Sequence, residues 1–186
     1  MKKSFLLPLF LLISLFFSGC SVELSDYENT TPTFDIKEYF NGDMIAWGIV
    51  QDYSNKVNRH FCVELNGTWR DNKGILAEKF YFSDGEISYR NWQLIKDQDG
   101  SYRGEAEDVI GTAIGQHQGF AFQFQYELAL KIDQETYQVT MDDWMFQLDQ
   151  YRVMNKTSIS KFGVNVANVT IFFDKLNQGT TCSAIH

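Results

Sequence analysis

From Met44 onward, apolar and polar residues alternate with a period of two. The clearest run is Phe120 to Ile132. Phe120, Phe122, Phe124, Tyr126, Leu128, Leu130 and Ile132 fall on one face; Ala121, Gln123, Gln125, Glu127, Ala129 and Lys131 fall on the other. That pattern predicts a half-buried antiparallel strand. Eight further strands are predicted at residues 44–52, 58–70, 75–83, 86–96, 102–107, 137–148, 151–161 and 164–174, making nine. Asn66-Gly67, Ser83-Asp84-Gly85, Asp97 to Gly100 and Asp133 to Glu135 carry turn chemistry. Asp35 to Phe40 reads as a short helical turn. Strands joined so closely in sequence form a meander. The fold class is therefore all-β, with an antiparallel up-and-down β-barrel as the simplest closure that leaves no edge exposed. A curved open sheet or sandwich is the alternative.

The first residues follow a different pattern. Met1-Lys2-Lys3 is basic, Phe5 to Phe17 is almost wholly apolar, and Ser18-Gly19-Cys20 follows. This is the layout of a secretory signal. Its apolar core falls short of the roughly 20 residues a bilayer span needs. Phe17-Ser18-Gly19-Cys20 resembles the bacterial lipobox, with Phe17 where leucine is usual. Residues 1–19 are thus expected to be removed and Cys20 to be lipidated with diacylglycerol and a further acyl chain such as palmitate. Several chains on one cysteine anchor stably. Ser21, rather than Asp, after Cys20 points to the outer membrane, on its periplasmic face. Residues 20–33 read as the lipidated N-terminus and a polar tether, 34–176 as the barrel domain and 177–186 as a C-terminal tail.

Composition narrows the partners. The 186-residue chain has net charge −8; removing Lys2 and Lys3 with the signal gives −10 (−8 minus 2) over 167 residues (186 minus 19). That length suits one domain with a real core. Nucleic acid is excluded as a partner, because its binders need basic surface. With Cys20 committed to lipid, Cys62 and Cys182 remain. An oxidising compartment permits a disulfide between them, tying the tail to the barrel wall; two unpaired thiols are the other reading.

Candidate chemistry is sparse. Glu78 shares its strand face with Leu76, Phe80 and Phe82, and a carboxylate there must find a partner or take a proton. Arg90 lies on the next strand. A two-residue turn would place Asn91 opposite Glu78, and a bulge would bring Arg90 onto its face. Glu78, Arg90, Trp92 and Asp143 are the candidate ligand-binding residues, able to grip a lipid headgroup or carboxylate. A buried ion pair closing the hairpin is the structural reading. Asp142 and Asp143 point to opposite strand faces, so they do not converge on a metal. His60, His117 and His186 are scattered, and no zinc spacing occurs. His117 reads as a loop residue between Gly115 and Gly119. No Gly-x-Ser-x-Gly elbow or phosphate cradle is present. No cofactor or catalytic residue is assigned.

Several segments together resemble one family. They are Phe40-Asn41-Gly42 with Trp47-Gly48; Glu78 to Gly85 with Arg90-Asn91-Trp92; Tyr102 to Gly111 with Ala113-Ile114-Gly115; Asp142 to Met145; and Asn155 with Ser160 to Val164. Running from about residue 34 to 176, they resemble domain-of-unknown-function family 3833, a set of proteobacterial lipoproteins. The resemblance implies an envelope location and a lipocalin-like β-barrel. It carries no assigned activity, and an association with fatty-acyl modification points toward lipids.

Three functions follow as expectations. The first is a non-enzymatic module that binds or carries an apolar or fatty-acyl ligand. The second is a structural or assembly lipoprotein that docks another envelope protein. An enzyme, the third, needs a pocket joining Glu78, Arg90 and Asp143. Phe80, Phe82, Phe120, Phe122 and Phe124 suit either a packed core or the lining of a pocket, so the state of the barrel interior decides among them.

Overall fold

The computed structural model describes residues 22–132, 134–176 and 180–182. The expected signal segment and Cys20 lie outside the described residues. Ten strands follow a four-residue 3₁₀ turn, Leu24–Tyr27, and a short helix α1, Ile36–Tyr39. They are β1 Gly42–Asp52, β2 Val57–Arg70, β3 Lys73–Phe82, β4 Ile87–Lys96, β5 Tyr102–Glu105, β6 Val109–Gln118, β7 Ala121–Ile132, β8 Glu135–Gln147, β9 Arg152–Lys161 and β10 Val164–Asp174. Each strand pairs antiparallel with the next, and β1 pairs with β10, closing the barrel. The fold is thus the expected up-and-down, lipocalin-like barrel, with one strand more than predicted.

The added strand is β6, where a loop was expected around His117. Its inward positions include Ala113 and Gly115, while Ile110 and Ile114 face solvent. The apolar signal is therefore inverted along this strand. The cause lies opposite: a Cβ on Gly115 would come within 2.4 Å of the Phe122 ring, and one on Gly104 of β5 within 2.6 Å of Phe124. Two wide aromatic rings from β7 take the volume that inward side chains of β5 and β6 would fill.

Phe120 also departs from expectation. It lies ahead of β7 and packs on Tyr27 and Phe146, whereas Phe122 to Ile132 keep the predicted inward face. Tyr27 also meets Trp144, so the segment expected as a free tether is seated on the barrel wall from Leu24 onward. Asn66-Gly67, expected as a turn, lies inside β2; the chain reverses at Asp71, which adopts φ 53°. Gly67 has a packing reason instead, since a Cβ there would stand 1.9 Å from the Phe40 carbonyl oxygen. That same oxygen accepts from the Trp69 indole at 2.9 Å. Gly67→Ala should cost about 1–3 kcal/mol through overpacking against rigid backbone. Urea unfolding measures it, and an unchanged midpoint would contradict the close approach.

Helix α1 closes one end of the barrel. Asp35 caps it, accepting from the backbone of Lys37 at 2.9 Å, and also takes the Tyr102 hydroxyl at 2.6 Å and a salt bridge from Lys96. Lys175 donates to the carbonyls of Tyr39 and Asn41 at the other end of the helix. Phe34 stacks edge-on against Phe122, and Phe40 against Phe173. The plug is thereby fixed to β4, β5, β7, β10 and the segment after β10. At the opposite end the strands follow one another with only short connections.

Candidate functional site

The barrel interior is open. A cavity of about 520 Å³ runs down the axis from the end opposite α1. That lies within the range of about 300–1,000 Å³ typical of small-molecule sites. Ten strands make a wider barrel than eight, whose interior side chains can just fill. Phe80, Phe82, Phe122 and Phe124 both pack on one another and line the space, so the aromatic stripe is core and cavity wall at once.

Toward the mouth the wall is apolar, with Val50, Phe82, Leu130, Ile132 and Val166. Arg59 is the exception. Its guanidinium lies 3.7 Å over the Phe82 ring and donates to Asp84 at 2.8 Å and Glu86 at 2.7 Å. The floor is aromatic, formed by Trp92, Phe122, Phe124 and Tyr102.

Between mouth and floor sits a ring of polar side chains. Glu78, Arg90, Trp92 and Asp143, singled out in the sequence, all line this one cavity. Asp143 is buried and fully engaged. Its Oδ2 accepts from Tyr126 at 2.9 Å, and its Oδ1 from Asn155 at 3.0 Å and from the Thr157 hydroxyl. Asp142 faces outward and takes Gln123, Gln125 and the Trp144 indole, as its opposite strand face requires. Among the described residues no group of three His, Cys, Asp or Glu is placed to hold a metal ion.

Glu78 and Arg90 stand directly opposite one another in the β3–β4 ladder. The two-residue turn does not occur; the bulged alternative, which brings Arg90 opposite Glu78, does. Phe82 and Glu86 flank a three-residue loop, Ser83 to Gly85, with Gly85 at φ 87°. The ion pair expected between the two is not formed. Arg90 instead engages Asp108, in the β5–β6 connection, through Nε at 3.0 Å and Nη2 at 2.6 Å. Glu78 is left with Oε2 buried and without a hydrogen-bond partner. Burial pushes its carboxyl up to about 7, helped by the nearby Asp143 and Asp108; the Arg90 charge and the Trp92 indole pull the other way. Burial likewise raises the Tyr126 hydroxyl, with the Asp143 carboxylate adding to the effect.

Tyr126, Asn155, Thr157 and Asp108 belong to the site and escaped the sequence reading. Two of them were signalled. Val153, Asn155, Thr157 and Ile159 share one face of β9, so polar residues interrupt an inward apolar row. Asp108 gave no such signal, because it reaches Arg90 from a connection between strands.

Cys62 and Cys182 are joined by a disulfide. Cys62 points to the outside of β2, where Cys182 covers it together with Ile45, Trp47 and Tyr81. The backbone N–H of Cys182 donates to Glu64 at 2.9 Å.

Fold and site together define a closed, lipocalin-like β-barrel with an apolar lumen and one buried polar ring. The chain belongs to the family described as "Protein of unknown function (DUF3833)", whose model matches residues 14–175. Comparison with curated proteins finds no match. Among solved structures it is similar to the S-type phycobiliprotein lyase CPES from Guillardia theta, at 10% identity and TM-score 0.50, covering 76% of this chain and 92% of that one. The likeness is one of fold.

Proposed function

We propose that this protein is a lipid-binding barrel, held at the periplasmic face of the outer membrane by acylated Cys20, that carries one apolar or fatty-acyl chain in its lumen. The open cavity carries this reading. At the roughly 30 Å³ that a water molecule occupies in the liquid, its 520 Å³ takes on the order of seventeen non-hydrogen atoms. That is the size of a long alkyl chain with a small polar end. A solid barrel would serve a purely structural lipoprotein equally well, so the hollow interior favours carriage over docking. The disulfide supports export, because such bonds persist in oxidising compartments.

Native mass spectrometry of the full-length protein, extracted in mild detergent, tests the proposal. The expected result is one bound lipid per barrel, or uptake of one from added vesicles. A barrel that neither carries nor accepts lipid overturns it.

A further inference from the structure

We infer that the lumen selects a lipid whose polar end is an uncharged hydroxyl and discriminates against free carboxylates. This deepens the proposed lipid carriage and rests on it. Glu78 and Arg90 carry the argument, together with the charges around them.

The lumen holds two guanidiniums, and both are already engaged. Arg59, near the mouth, faces Asp84 and Glu86. Arg90, at mid-depth, faces Asp108, with Glu78 and Asp143 lining the same level. Two cations thus meet five carboxylates. An entering carboxylate would join Glu78 and Asp143, the two acids that line the lumen itself, in a poorly solvated space where like charges disfavour ionisation. An arginine that grips a carboxylate does so best through two parallel N–H bonds. Arg90 already offers Nε and Nη2 to Asp108.

What the ring lacks is a donor to Glu78 Oε2. The Asp143 oxygens are taken by Tyr126, Asn155 and Thr157. Glu78 is not similarly supplied: among the described residues its Oε2 has no hydrogen-bond partner, and only the Trp92 indole and the Arg90 charge favour its ionised form. A buried acceptor left in this state is costly, and a ligand that donates to it recovers the lost bond. A hydroxyl donates once, carries no charge and can accept a hydrogen bond from Arg90 in return. An ammonium would suit Glu78 but would lie beside the Arg90 guanidinium. Among the described residues no histidine lines the lumen, so Glu78, Arg90, Asp108, Tyr126 and Asp143 are the titratable groups that face one another at this depth.

Equimolar hexadecan-1-ol, hexadecanoate and hexadecylamine, offered together to delipidated full-length protein at pH 8, test the inference by native mass spectrometry. Hexadecan-1-ol should occupy the barrel at least about tenfold over hexadecanoate, the ratio that a single well-placed hydrogen bond supports. In E78L, which removes the acceptor and the charge, the ratio should fall below about threefold. E78Q keeps the shape and an acceptor; there hexadecanoate alone should gain. Hexadecanoate equal to or above the alcohol, the amine bound most strongly, or a ratio unchanged in both variants would overturn the inference while leaving lipid carriage standing. Binding of none of the three would instead remove the carriage on which it rests.

Discussion

Replacing Cys62 and Cys182 together by serine lowers the unfolding free energy by about 4 kcal/mol. The bond joins residues 120 apart in sequence. The loop it closes contains most of β2 and every strand after it, so it constrains nearly the whole unfolded barrel. Loop-closure entropy rises only logarithmically with length, which puts a loop of this size in the upper part of the usual range of about 2–5 kcal/mol. The folded state loses as well. Without the bond, Ile45, Cys62 and the edges of Trp47 and Tyr81 lose their cover, and Glu64 loses the N–H of Cys182. Paired urea titrations of the wild type and the double-serine variant measure the difference. A shift below about 1 kcal/mol would mean that the tail merely rests on the wall.

The barrel was largely legible because its signal is repeated. Antiparallel strands with one wet face alternate with a period of two, and a strand forms at each of the nine predicted positions. Where legibility failed, side chains had exchanged volume across strands. On β6 the inward positions are Ala113 and Gly115 because Phe122 and Phe124 lean over them. On β2, Gly67 looked like a turn residue because the Phe40 carbonyl that requires it lies 27 residues away (67 minus 40). Both are long-range causes that no local window contains. The site was half legible for the same reason. Glu78, Arg90, Trp92 and Asp143 stood out as polar or large residues on apolar rows. Pairing Arg90 with Glu78 was wrong because proximity along a hairpin does not decide which carboxylate an arginine takes. Asp108 wins by offering Oδ1 to Nε and Oδ2 to Nη2.

That outcome leaves Glu78 as the least stable element of the site, and pH should expose it. Its carboxyl is raised from 4.5 to about 7 in the folded protein, chiefly by burial. Between those values the folded chain holds a proton that the unfolded chain has released. Stability contributed by this group is therefore fully present below about pH 4.5 and is lost as pH rises through 7. At about 1.4 kcal/mol per unit, the loss is about 3 kcal/mol by pH 8. Other groups shift in the opposite direction. Asp35, for example, is drawn below its ordinary value by Lys96 and Tyr102 despite the opposing effect of burial, and gains stability as pH rises. The wild type alone would therefore give a mixed profile, but the difference between Glu78→Gln and wild type isolates the one group. The two should be nearly equal at pH 4.5, and E78Q should be more stable by about 2–3 kcal/mol at pH 8. A gap that stays constant with pH would show that Glu78 finds a partner or water when ionised. A widening gap would mean that the barrel keeps, at mid-lumen, a carboxylate that weakens its own fold. Such a residue is stabilised only when something in the lumen donates a hydrogen bond to it, so the same substitution that strengthens the empty barrel should lessen its preference for a hydroxyl-bearing lipid.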